Sequence, residues 1–134
     1  MDSDKKHNRD RINKTKLRLQ REFATYGGVA WVTKGREVEN YIAHDRLQLA
    51  VASVYGDKYA SPLEGATFDH ALHFKRTAPK KRRKGTSSTD LIETDVDKVK
   101  VSRAVTTDGS NDLDVLDLKD RLTELVRMIR SANG

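Results

Sequence analysis

A short apolar run, Val29-Ala30-Trp31-Val32-Thr33, sets the tightest limit on what this chain can fold into. It is β-rich and does not alternate, so as a strand it must be covered on both faces. A helix-like segment precedes it and stops at Gly27-Gly28. Helix followed by buried strand is the second half of a βαβ unit in a parallel sheet. The first strand of that unit would lie before Asp2, where only Met1 stands, so the chain is expected to begin inside the fold. Acidic pairs follow both strand positions, Asp2-Ser3-Asp4 after the first and Glu37-Val38-Glu39 after the second. In a parallel sheet, neighbouring strand ends lie side by side and form the usual ligand crevice.

The expected fold class is therefore α/β, a partial Rossmannoid parallel sheet with flanking helices. A length of 134 residues fits one domain, 1–134, and with 36% hydrophobic and 34% charged residues its core must be modest. The absence of cysteine removes disulfides, thiolate metal ligands and thiol nucleophiles, and fits a reducing cytoplasm. No segment reaches the length of a membrane span and the basic opening has no apolar stretch, so neither a membrane nor a signal peptide is expected. The balance of 26 basic against 20 acidic residues, net +6, favours a polyanionic partner, nucleic acid above all.

Helical spacing of Ile12, Lys16, Leu19, Phe23 and Tyr26 predicts a helix over residues 8–26, with the Lys16 stem lying along its apolar face. Asn8 or Asp10 can cap it, and Arg9, Lys14, Arg18 and Arg21 occupy the other face. A second helix is predicted over 45–55 from Leu47, Ala50, Val51, Val54 and Tyr55, closed by Gly56. Residues 57–96 hold both prolines and a Gly-Thr-Ser-Ser-Thr stretch, and are expected to be an insertion with a flexible basic loop at about 76–92. Residues 97–105 fit a helix or a strand, with Val101, Ala104 and Val105 leaning towards a helix. A last helix is predicted over 114–132, striped by Leu118, Leu122, Leu125, Val126 and Ile129.

On an extended segment Asp2 and Asp4 leave the same face, where two hard oxygen donors can share Mg²⁺ or Mn²⁺. The bland alternative is a solvated acidic terminus. Glu37 and Glu39 repeat the spacing, but at a helix start they would point about 160° apart, so one rather than both would reach a metal, Glu39 before Glu37. Lys98 and Lys100 are candidates for stabilising charge on a transferring phosphoryl group, or are a solvated pair. The run Lys80, Lys81, Arg82, Arg83 and Lys84 suits phosphate-backbone contact, although it also fits an import signal or a soluble loop. His70 and His73 lack the companions of a zinc site, and neither a phosphate-binding glycine loop nor a serine nucleophile elbow occurs.

Taken in order, Asp2-Ser3-Asp4-Lys5, the basic helix, the short strand and Arg36-Glu37-Val38-Glu39-Asn40-Tyr41 resemble the C-terminal Toprim domain of OLD-family ATP-dependent endonucleases. The segment 98–104 resembles that family's late lysine motif, and Ile129-Arg130-Ser131-Ala132-Asn133 resembles the end of such domains. The resemblance covers most of the chain outside 57–96. It implies a metal-dependent nuclease using Mg²⁺ or Mn²⁺, with Asp2, Asp4, Glu39 and Glu37 at the metals and Lys98 or Lys100 as the charge stabiliser. It further implies DNA as the expected substrate and an ABC-type ATPase as partner domain or subunit, with no ATP site in this chain. The family's site also takes a glutamate from an earlier strand–helix unit, so the isolated chain is either active or an inactive fragment. The alternative is a non-catalytic, basic nucleic-acid-binding or interaction module.

Overall fold

A computed structural model describes residues 1–77, 91–107, 109 and 112–134. The fold mixes helix and strand. The helices are α1 (Lys14–Thr25), α2 (His44–Tyr55), α3 (Lys98–Thr107) and α4 (Leu118–Ala132), and the strands are β1 (Tyr59–Pro62), β2 (Phe74–Arg76) and β3 (Ile92–Glu93). The described strands form one antiparallel sheet in the order β1-β2-β3, so the expected parallel Rossmannoid sheet is corrected. Those strands fall inside 57–96, which the sequence had assigned to an insertion. Each has two to four residues, too few for alternation to show. Residues 78–90, which include most of the expected basic loop, lie outside the described residues. Among the described residues no helix is long and apolar enough to cross a membrane.

The chain divides into two compact units, the first made of Met1–Ala43, Thr67–Asp69 and Asn111–Gly134, the second of His44–Ala66 and His70–Ser110. The second unit has the larger apolar core. Leu47 and Val51 of α2, Phe74 of β2 and Val101 of α3 are fully buried. Tyr59 stacks on Phe74 with ring centroids 5.1 Å apart, and Tyr55 meets the same ring at 4.9 Å. Gln48 is buried there too, with its polar atoms satisfied. Its Nε2 donates to the Ala71 carbonyl at 2.7 Å and its Oε1 accepts from the Tyr59 hydroxyl at 3.0 Å.

In the first unit α1 starts at Lys14, six residues later than expected, and its cap is Asn13 rather than Asn8 or Asp10. The Asn13 side chain accepts from the Thr15 N–H at 2.8 Å. Upstream, Asp10 accepts from the N–H groups of Lys6 and His7, a local turn that competes with helix formation. Those two N–H groups also hold the Asp10 carboxyl below its usual pKa. The start of α4 moves from 114 to Leu118, because Leu116 adopts a left-handed φ of 54° that a helix cannot contain. The helix predicted over 45–55 appears as α2 with a small shift, and residues 97–105, which fitted a helix or a strand, fall mostly within α3.

Candidate functional site

Residues 29–33 do not form a regular strand, yet 31–36 are paired. The Met1 ammonium donates to the Trp31 carbonyl at 2.8 Å, and the Thr33 N–H donates to the Met1 carbonyl at 3.0 Å. Three residues on, the Asp4 N–H donates to the Arg36 carbonyl at 3.0 Å. Partners advance together along both segments, so residues 1–4 and 31–36 run in the same direction. This is a short parallel pairing outside the antiparallel sheet, and it brings the Asp2–Asp4 segment beside the start of 35–40.

Ser3 fixes the pairing from between the two aspartates. It is 4% exposed, its hydroxyl donates to the Gly35 carbonyl at 2.6 Å, and its N–H donates to the Thr33 hydroxyl at 2.8 Å. The Thr33 hydroxyl donates to the same Gly35 carbonyl at 2.9 Å. Gly35 is required for room. An added Cβ would stand 2.8 Å from the Asn40 Cβ and 3.0 Å from the Thr67 carbonyl oxygen.

After Gly35 the chain makes a 3₁₀ turn over Val38–Tyr41. Asn40 steadies it, its side-chain oxygen accepting from the Glu37 N–H at 2.8 Å. The Asp2 carboxylate accepts from the Val38 N–H at 3.0 Å, and so satisfies one of the donors that a helical turn leaves open at its start. Glu37 and Glu39 are half-buried on this turn, with Oε2 of Glu39 shut off from solvent. Tyr41 is buried against Trp31, edge to face at 5.0 Å. Its hydroxyl accepts from Trp31 Nε1 and from the Lys34 N–H, and donates to Asp117. Burial first, and then the bond to Asp117, raise the tyrosine pKa. Burial pushes the Asp117 carboxyl up, but the Tyr41 and Arg121 hydrogen bonds outweigh it and hold the pKa below the usual value.

Asp4 departs from expectation. Its φ of 57° is left-handed, so the extended run ends at Ser3 and the rule placing Asp2 and Asp4 on one face no longer applies. The Asp4 side chain is largely exposed and is ion-paired with Lys16 of α1. The Lys16 ammonium also donates to the backbone carbonyl of Asp2 at 2.6 Å. The sequence had assigned Lys16 to packing. Its one signal of a further role was a charged residue inside an apolar stripe.

Of the remaining candidates, Lys98 and Lys100 open α3 in the second unit, where Lys100 pairs with Asp97 at 3.2 Å. Lys80, Lys81, Arg82, Arg83 and Lys84 lie outside the described residues. Two hollows of about 380 and 440 Å³ run along α4, and none of the four acids lines either. The donor chemistry of Asp2, Asp4, Glu37 and Glu39 suits a hard cation such as Mg²⁺ or Mn²⁺, but the grouping falls short of a metal centre. Among the described residues no three histidines, aspartates or glutamates are close enough to hold a metal ion.

No protein-family model, curated protein or solved structure matches the chain.

Proposed function

We propose that this chain carries part of a metal-dependent phosphodiester-cleaving site of the Toprim type found in OLD-family ATP-dependent endonucleases. The observation that carries the reading is the parallel pairing of 1–4 with 31–36, which sets the Asp2–Asp4 segment against the turn bearing Glu37 and Glu39. The first acidic pair straddles the end of one extended segment and the second pair follows the neighbouring one, which supports the reading.

In this reading metal binding would draw Asp2, Asp4 and Glu39, with Glu37 as an additional ligand, closer together than they stand in this structure. A bound Mg²⁺ or Mn²⁺ would supply an activated water and offset charge on the scissile phosphate. Ser3 and Gly35 hold the two segments in register. Lys98 or Lys100 supplies a fixed cation for the transferring phosphoryl group. DNA is the proposed substrate and an ABC-type ATPase the proposed partner. Titrating Mn²⁺ into the protein and following amide signals by NMR tests the site. Selective broadening at both 2–4 and 35–40 is expected, and broadening that spares one of the two segments overturns the shared site.

A second reading, a basic nucleic-acid-binding module without catalysis, is favoured by the exposure of Arg9, Lys14, Arg18 and Arg21 on and just before α1. Chelation separates the two. Cleavage stops with EDTA, whereas simple binding survives it and weakens steeply with salt.

A further inference from the structure

Helix α4 runs for 15 residues and buries none of them. Its apolar residues nonetheless form one line. At 3.6 residues per turn, Leu118, Leu122, Leu125 and Ile129 fall within an arc of about 60°. Leu125 and Ile129 are 40% and 47% exposed, and Val126 at the edge of the line is 45% exposed. A different side of the helix, with Glu124, Met128 and Ala132, lines the hollow shared with Gly27 and Val29. Charge is sorted around the line as well. Lys119 and Arg130 stand about 80° and 100° from its centre on one side, and Arg121 about 80° on the other. The acids Asp120 and Glu124 are about 180° and 140° away. Arg121 is tied to Asp117 and Glu124 at 3.0 and 3.1 Å. The ion pair of Lys119 with Asp114, at 3.7 Å between two exposed side chains, is a weak one.

We propose that α4 is a docking helix for an anionic lipid surface, lying on it with the Leu118–Ile129 line against the acyl chains and Lys119 and Arg130 at the headgroups. An exposed apolar line edged by cations, with the acids turned away, is the pattern of a helix that rests at a lipid–water interface. The long stems of Lys119 and Arg130 can lie along the line and carry their charges up to the anionic headgroups. Other occupants fit less well. Nucleic acid would meet the cations and leave the apolar line in water. A second copy of α4, set parallel or antiparallel along the line, would bring basic edges against basic edges. A helix of about 22 Å is too short for a bilayer core of about 30 Å, and lying on the surface asks for no span. The net charge of +6 acts in the same direction. The inference is independent of the metal-site reading.

The test is co-sedimentation of the full chain with vesicles of phosphatidylserine and phosphatidylcholine in equal parts, against vesicles of phosphatidylcholine alone. Binding to the anionic vesicles is expected, with binding to the neutral ones weaker by about tenfold or more. Leu125→Gln combined with Ile129→Gln removes apolar contact at exposed positions and should weaken anionic-vesicle binding by about tenfold or more. Lys119→Gln and Arg130→Gln should each weaken it about fivefold. Circular dichroism checks that the variants keep their helix, and Leu125→Gln alone carries the same arm should the double variant lose it. No sedimentation with anionic vesicles, equal binding to both vesicle types, or full binding by the double variant overturns the proposal. A chain that is dimeric without lipid and monomeric as the double variant also overturns it, since the line then belongs to a second copy. Loss of duplex DNA binding in the charge variants with vesicle binding intact does the same, and gives the basic edge to nucleic acid.

Discussion

The two units are held together by different means. The second buries Leu47, Val51, Phe74 and Val101 around a stacked tyrosine, an apolar core of the ordinary kind. In the first, neither α1 nor α4 buries a single residue, and the interior consists of Val32, Tyr41 and two hydroxyl-bearing side chains, Ser3 and Thr33. Its order comes from directional bonds. Ser3 and Thr33 converge on the Gly35 carbonyl, Asp2 caps the 3₁₀ turn, and Tyr41 links Trp31 to Asp117. Apolar burial is non-directional and tolerates small shifts, whereas hydrogen bonds fix distance and angle. The candidate acids stand in the unit where positions are set by hydrogen bonds, which suits groups that must meet a ligand at defined distances.

The largest blow to the contrast would come from Phe74→Ala. Removing this fully buried ring should cost about 3–5 kcal/mol in urea unfolding. The chain has one tryptophan, Trp31, and it lies in the first unit, so its emission reports that unit alone. Loss of the second unit's methyl dispersion before Trp31 responds is expected. Simultaneous loss would mean that the two units unfold as one cooperative body.

Ser3→Ala should act in the opposite place. It removes a hydroxyl that donates to Gly35 and accepts from the Lys5 N–H, leaving a partly buried donor without its partner. A cost of about 1–3 kcal/mol is expected in the Trp31-reported transition. An unchanged midpoint would show that the parallel pairing holds the first unit without the serine.

Asp117 sharpens the comparison through pH. Its folded pKa lies below the ordinary 3.8. The carboxylate therefore contributes stability that is fully present above that ordinary value and is lost as pH falls through the lower folded one. Acid unfolding followed by Trp31 should lose this component in Asp117→Asn, at a neutral-pH cost of about 1 kcal/mol. A variant that keeps the same acid midpoint would assign the pH sensitivity to other carboxylates.

Much of the helical frame was legible in the sequence. The stripe Leu47, Ala50, Val51 and Val54 marks α2 almost to its ends, and Val101 with Val105 marks α3. Helices reveal themselves because each turn repeats the same local demand for an apolar residue. The sheet was not legible. Two to four residues per strand carry no period, and Phe74 earns its place only by meeting Tyr55 and Tyr59 from another part of the chain.

The site divides in the same way. Residue types and order alone nominated Asp2, Asp4, Glu37 and Glu39, and predicted that the two acidic segments would lie side by side. The direction of 1–4 against 31–36, the positive φ of Asp4 and the grip of Lys16 on Asp2 and Asp4 belong to the tertiary structure. Sequence determined which groups could carry charge or take a period, since those are properties of single residues and near neighbours. Tertiary structure decided which charge meets which, because Lys16 and Asp4 are brought together by packing and hydrogen bonds that no local pattern encodes.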